Sequence, residues 1–334
     1  MRLATAPSPF ARCGVLFAAV GMLACNPPGT VREGTADVVT KSIPTQQEEA
    51  NVKPRTWQCP EALVRARRGG TAPDRYIVPA AEARQAMAEL MTRLAAQESL
   101  SLPPDVASAA ARFGYQIASV PEMPGTLLLS EVESARHGGG AYLLRPGSRS
   151  SVVVQAPHTF FDENTLPLAC DLFERGAAAA LFVDTAHRYK AAEVDERGAY
   201  PADLAHATDS LFQAATEGLL RARPQLTVVQ VHGFGPRESP ASVVVSAGTT
   251  QPGAPVVQGA KAELSALAVG PVLRFPEDTS ELGATKNVQG AAVRAAGGTF
   301  LHVEIAATLR TALVSDEALR ARFLDAMVRS LSAR

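Results

Sequence analysis

From about residue 126 onward, short apolar runs alternate with longer stretches whose apolar residues recur at helical spacing. The runs over 126–129, 141–144, 151–154, 178–183, 226–231, 243–246, 272–275 and 299–305 predict strands. The stretches over 166–175, 202–221, 260–267, 287–296 and 316–331 predict helices. Ahead of them, Met87, Leu90, Met91 and Leu94 mark an amphipathic helix over 80–97, and a second helix is expected over 106–117, after Pro103-Pro104. His137-Gly138-Gly139-Gly140 falls between two strands and lacks both the following helix and the Lys-Ser/Thr of a phosphate loop. It predicts a hairpin connection. Strands alternating with helices of this length predict an α/β domain, from about 57 to 334, with a mostly parallel sheet covered on both faces.

The first part of the chain has a different pattern. Arg2 and Arg12 precede an apolar stretch over 14–24 that is short of the roughly 20 residues needed to cross a bilayer. It ends in Met22-Leu23-Ala24-Cys25. A charged start, a short apolar middle and a small-residue end predict an export signal over 1–24. Cys25, directly after the cleavage point, makes the segment similar to a bacterial lipoprotein signal, although Met22 replaces the usual leucine. The expectation is a lipid on Cys25 that attaches the protein to a membrane of the bacterial cell envelope. Residues 25–56, rich in Pro, Gly and polar side chains, then read as a disordered tether. With Cys13 in the signal and Cys25 lipidated, Cys59 and Cys170 remain. An oxidising compartment favours a disulfide between them, with two buried thiols as the other reading.

Composition adds an exclusion. Lys and Arg total 32 against 33 Asp and Glu, and no basic run is interleaved with aromatics, so nothing points to a nucleic-acid partner. With 46% hydrophobic residues in 334, the chain has enough apolar material for a sizeable core.

Ligands of open α/β sheets bind beyond the carboxyl ends of the strands, so the polar residues at those ends are the candidates for chemistry. The 151–154 run leads to His158, with Asp162 and Glu163 after it. The 178–183 run leads to Asp184, His187 and Arg188. The 226–231 run leads to His232, and the last strand carries His302 and Glu304 on one face. Two histidines and one carboxylate are the ligand set of a catalytic zinc site, which needs a further carboxylate to move protons. Glu304, held on a strand, fits that second task, and His302 beside it is a candidate substrate contact. Arg188 is a candidate clamp for a substrate carboxylate. Asn287, at the start of a helix with Lys286, is either a donor to substrate or a plain helix cap. His206, Asp209 and Ser210 read as one solvated helix face rather than a triad, and no G-x-S-x-G elbow exists.

The order strand-PHxxxxE, strand-HG and a late strand carrying Glu resembles the zinc carboxypeptidase-like amidohydrolases, especially N-formylglutamate amidohydrolase and the phage poly-γ-glutamate hydrolases. HTFFDENT, from His158 to Thr165, keeps the His-to-Glu spacing and the threonine of their HGGxxEPGT-like motif. The HxxE spacing of true carboxypeptidases is absent, because Phe161 stands at that place. The resemblance covers about 155–310. It implies a three-layer α/β/α fold around a mixed sheet, with one zinc ion on His158, Glu163 and His232. Glu304 would be the catalytic glutamate, and the reaction would be hydrolysis of an amide bond in a small amide or peptide. Asp162 remains a rival ligand to Glu163. The competing functional reading is a non-catalytic envelope lipoprotein that uses the fold as a binding or scaffold module.

Overall fold

A computed structural model describes residues 59–68, 75–196 and 198–332. The expected signal over 1–24, the lipid-bearing Cys25 and the tether over 25–56 lie outside the described residues. Nine strands form a mixed sheet in the order β1-β2-β3-β5-β4-β6-β9-β7-β8. The centre, β5 (Ala180–Val183), β4 (Val152–Ala156), β6 (Thr227–Phe234) and β9 (Thr299–Ala306), is parallel. On one side β3 (Ala141–Leu144) runs antiparallel to β5 and continues into β2 (Leu127–Glu131) and β1 (Tyr115–Ser119). On the other, β7 (Val243–Ser246) runs antiparallel to β9 and carries β8 (Val272–Phe275).

Helices cover both faces, which makes three layers. One face packs α1 (Glu61–Arg68), α4 (Thr165–Arg175), α6 (Pro255–Ser265), α8 (Ala307–Ser315) and α9 (Glu317–Ser332) on Val154, Val229, Leu301 and Val303. The other packs α2 (Ala81–Ala95), α3 (Pro104–Ala111), α5 (Leu211–Ala222) and α7 (Val288–Ala295) on Val153, Val228 and Phe300. On this second face the three central strands change character together as they approach their carboxyl ends. Val153 gives way to Gln155, Val228 to Gln230 and His232, and Phe300 to His302 and Glu304, all of them buried. Side chains two apart on a strand share a face, so these residues form one buried polar layer above an apolar one.

Several elements differ from the sequence expectation, and α1 was not among the helices expected. The helix expected over 106–117 ends at Ala111, and residues 115–119 are an edge strand. Gly114, at φ 81°, provides the left-handed turn that separates the two. The helix expected from 202 starts only at Leu211, leaving 202–210 as turns. The chain after β9 winds directly into α8, which was not anticipated. Cys59 and Cys170 are joined by a disulfide, with Cα atoms 5.4 Å apart, and it ties the segment before α1 to α4. No helix among the described residues is long and apolar enough to cross a membrane.

Candidate metal centre

β4 ends at Ala156, and the chain then turns tightly, with Phe161 N–H and Asp162 N–H both donating to the His158 carbonyl at 2.9 and 2.7 Å. A turn closed from residue 162 to residue 158 places those two side chains on the same side. The Asp162 carbonyl in turn accepts from Thr165 Oγ at 2.7 Å, at the start of α4. Asp184, at the end of β5, holds the same turn by accepting from the amide and hydroxyl of Thr159. Arg67 of α1 grips Thr159 from outside and lies 3.7 Å over the Phe160 ring.

The turn brings His158 and Asp162 to His232 on β6, and all three are buried. His158 Nδ1 is 3.2 Å from His232 Nδ1, and Asp162 Oδ2 lies 3.6 and 3.4 Å from the two nitrogens. Ligand atoms about 2.0–2.1 Å from a tetrahedral zinc ion stand about 3.3 Å apart, so the triangle has the size a metal requires.

Its chemistry fits as well. His158 donates its Nε2 proton to Asp203 Oδ1 at 2.8 Å, which leaves its Nδ1 lone pair facing the triangle. The tautomer of His232 is fixed from a backbone amide. Gly290 N–H donates to Asn287 Oδ1 at 2.8 Å, so Asn287 Nδ2 must donate to Gln230 Oε1, at 2.6 Å. The amide of Gln230 is then oriented, with Nε2 directed to Gln155 and Gln289, and its oxygen accepts the Nε2 proton of His232 at 2.8 Å. His232 is thereby left with Nδ1 as an acceptor aimed at the triangle. Two acceptor nitrogens 3.2 Å apart beside a carboxylate repel one another unless a cation or a proton lies among them, and the Arg188 guanidinium, 3.2 Å from His158 Nδ1, is a positive group already beside them.

Burial would raise Asp162, but the closeness of His158 and His232 outweighs it and holds this carboxyl well below the usual range. Burial would also raise Asp203, and the bonds to His158 and His206 lower it well below that range. Burial pulls His158 down while Asp162 and Asp203 pull it up further, for a net rise. His232 falls to about 4, chiefly through burial. Burial also drives His302 well below its ordinary value. It stacks on His232 with ring centres 4.5 Å apart, and its Nδ1 has no hydrogen-bond partner.

Glu304 pairs with His232 in the register of β6 and β9. Its Oε1 is 3.7 Å from His302 Nε2, and its Oε2 is buried without a partner. Burial, with a contribution from the negative Asp162, pushes this carboxyl up to about 8. Arg310 does not neutralise it, because that guanidinium is spent on the carbonyls of Glu163, Phe234 and Ile305.

The candidates named from the sequence thus separate. His158, His232, His302 and Glu304 come together. Glu163 does not: the structure puts Asp162 against the histidines, because the turn from 158 closes after four residues. Glu163 is exposed, one position further round. Arg188 reaches the site, but one Nη is ion-paired with Asp203 and the other lies 3.2 Å from His158 Nδ1. It is no free carboxylate clamp, and only its Nε lacks a partner. Both ends of the Asn287 amide are used, as the cap of α7 and as the support of Gln230, so its side chain is not a spare donor to substrate. Two residues were missed. Asp203 orients His158, and His206, expected on a solvated helix face, donates from Nδ1 to Asp203 at 3.0 Å and lines the pocket. That pocket, about 190 Å³, is also lined by His158, Arg188, His232 and Glu304. A larger cavity of about 770 Å³, beside α2, contains none of these residues.

No family profile matches the chain, and no curated protein does. Among solved structures, it is similar to N-formylglutamate amidohydrolase from Ralstonia eutropha JMP134, at 15% identity over 59% of this chain and 98% of that one, with a TM-score of 0.37. It is also similar to a bacteriophage poly-gamma-glutamate hydrolase, at 13% identity over 55% and 84% of the two chains, TM-score 0.37. A metallo-carboxypeptidase from Burkholderia cenocepacia is similar at 15% identity over 70% and 69%, TM-score 0.37. The group that the sequence resembles is therefore also found among similar solved structures. The reading of the site rests on its own side chains.

Proposed function

We propose that the protein is a zinc-dependent hydrolase of an amide bond, in an N-acyl or γ-glutamyl amino acid or a peptide such as a cell-wall peptide. One observation carries this reading: two buried imidazoles and a carboxylate present acceptor atoms to one another at 3.2–3.6 Å, and the other nitrogen of each imidazole is locked as a donor. His158, Asp162 and His232 would hold the ion. A zinc ion there would supply a Lewis acid for the scissile carbonyl and would lower the pKa of a water. Glu304, whose side chain lines the pocket, would in its ionised form take a proton from that water and deliver it to the leaving amine. His206 also lines the pocket, and with its Nδ1 proton given to Asp203 its outer nitrogen is an acceptor for the substrate. The proposal includes a lipid on Cys25 and a place on the bacterial cell envelope, which follow from the expected signal alone.

The purified protein should hold about one zinc per chain, measured by metal analysis, and His158→Ala and His232→Ala should lose it. Glu304→Gln should keep the metal while hydrolysis of N-acyl amino acids falls by about 10²–10⁴. Zinc-free wild-type protein after zinc dialysis would sink the reading. Zinc binding with every function intact in Glu304→Gln would make the protein a non-catalytic binding or scaffold module.

A further inference from the structure

The metal-ligating group leaves unexplained a row of exposed rings beside it. Phe161, Tyr189 and Tyr200 are 48%, 37% and 39% exposed, and every exposed Phe or Tyr among the described residues is in this row. Single exposed apolar residues are ordinary, but a contiguous group of them marks an interaction site. Phe161 and Tyr189 meet edge to face at 4.8 Å, and Tyr189 and Tyr200 at 4.7 Å.

The row is continuous with the candidate pocket. The Arg188 guanidinium lies 4.5 Å over Tyr189 and 5.6 Å from the Phe161 ring, and the same group is 3.2 Å from His158 Nδ1. The loops that build the site also place the rings. Phe161 precedes Asp162 and Tyr189 follows Arg188, while Tyr200 lies in a turn closed by its carbonyl accepting from Asp203 N–H at 3.0 Å. The pocket itself, about 190 Å³, is smaller than the roughly 300–1,000 Å³ that encloses a drug-sized ligand. It takes the scissile amide and its immediate substituents, so the rest of a substrate must lie across the rim. On the Arg188 side the rim is these rings.

We propose that Phe161, Tyr189 and Tyr200 form a subsite for a flat ring with apolar faces, carried on the substrate residue next to the scissile amide. An aromatic side chain and a pyranose share that chemistry, since both stack on an aromatic face. The assignment to a substrate residue rests on the proposed hydrolase reading, but occupancy of the subsite does not require turnover.

The test is therefore equilibrium binding to the full zinc-treated chain, followed by NMR with three probes. These are N-acetyl-L-phenylalaninamide, N-acetylglucosamine and the ringless N-acetyl-L-alaninamide. One ring probe should bind at least about ten-fold more tightly than the ringless one, and which of the two does so names the source of the ring. Phe161→Ala and Tyr189→Ala should cut the preference below about three-fold. Tyr189→Leu, which keeps apolar bulk and removes the ring face, should do the same if an alanine variant folds poorly. Equal binding of all three probes, or a preference that survives in Phe161→Ala/Tyr189→Leu, would overturn the subsite. Failure of the hydrolase reading would show separately, as ring-selective binding by a protein that neither retains zinc nor cleaves an amide.

Discussion

Glu304 has a buried oxygen with no partner, and burial makes its proton hard to remove. Its carboxyl titrates near 8 in the folded chain against an ordinary 4.5, so between those values the folded state keeps a proton that the unfolded state has lost. Stability of the metal-free protein should consequently fall as pH rises through this window, by at most about 1.4 kcal/mol per pH unit from this group. Urea unfolding of chelated wild type and Glu304→Gln at pH 5 to 8 reads the effect as their difference, which should shift against wild type with rising pH. A constant difference would remove the assigned cause. Asp162 and Glu163 raise a separate point. Motif spacing favoured Glu163, yet a turn closed after four residues delivers Asp162, and only the backbone hydrogen bond to His158 decides between neighbours. Asp162→Ala should lose zinc in metal analysis, whereas Glu163→Ala should retain it.

The strands and amphipathic helices were legible because burial on one face imposes a period, and that period survives in the sequence. His158, His232 and Glu304 were legible for a related reason: charged and polar groups inside apolar runs stand out. Asp203 and His206 were hidden because polar turn residues carry no period, and 202–210 was absorbed into the helix that follows. A boundary signal was present. Ser210-Leu211-Phe212-Gln213 has the S-x-x-Q spacing of a capping box, and in the structure Ser210 Oγ accepts from Gln213 N–H at 3.0 Å. Placing the helix start there would have released Asp203 and His206 to the loop beside the site. Ser210→Ala should cost about 1 kcal/mol in chemical unfolding, the usual loss for a side-chain cap. The pair Gln230 and Asn287 was unreadable for a different reason. Its role depends on a contact between β6 and the start of α7, 57 residues apart.

Across the whole molecule, one covalent bond joins the earliest described segment to the half that carries His158 and Asp162. The disulfide spans 111 residues, and a loop of that size should contribute about 4–5 kcal/mol by restricting the unfolded chain. Cys59→Ser, or reduction before urea unfolding, should lower stability by an amount of that order. The bond fastens the start of α1 to α4, and Arg67, at the other end of α1, grips the turn that carries His158. On the proposed zinc reading, loosening α1 should weaken retention of the metal as well.

The buried polar layer has a consequence for how this sequence can evolve. Gln155, Gln230 and His302 occupy positions where the same strands, one step earlier, carry Val153, Val228 and Phe300, and Glu304 follows His302 on the same face. Apolar replacements there would extend a core that already exists directly beneath them. Selection for heat resistance alone would therefore drift toward valine and leucine at these sites, whereas selection for chemistry holds them polar at a standing cost in stability. On the proposed hydrolase reading, descendants that have lost the reaction should be recognisable by this layer turning hydrophobic while the rest of the sheet stays unchanged.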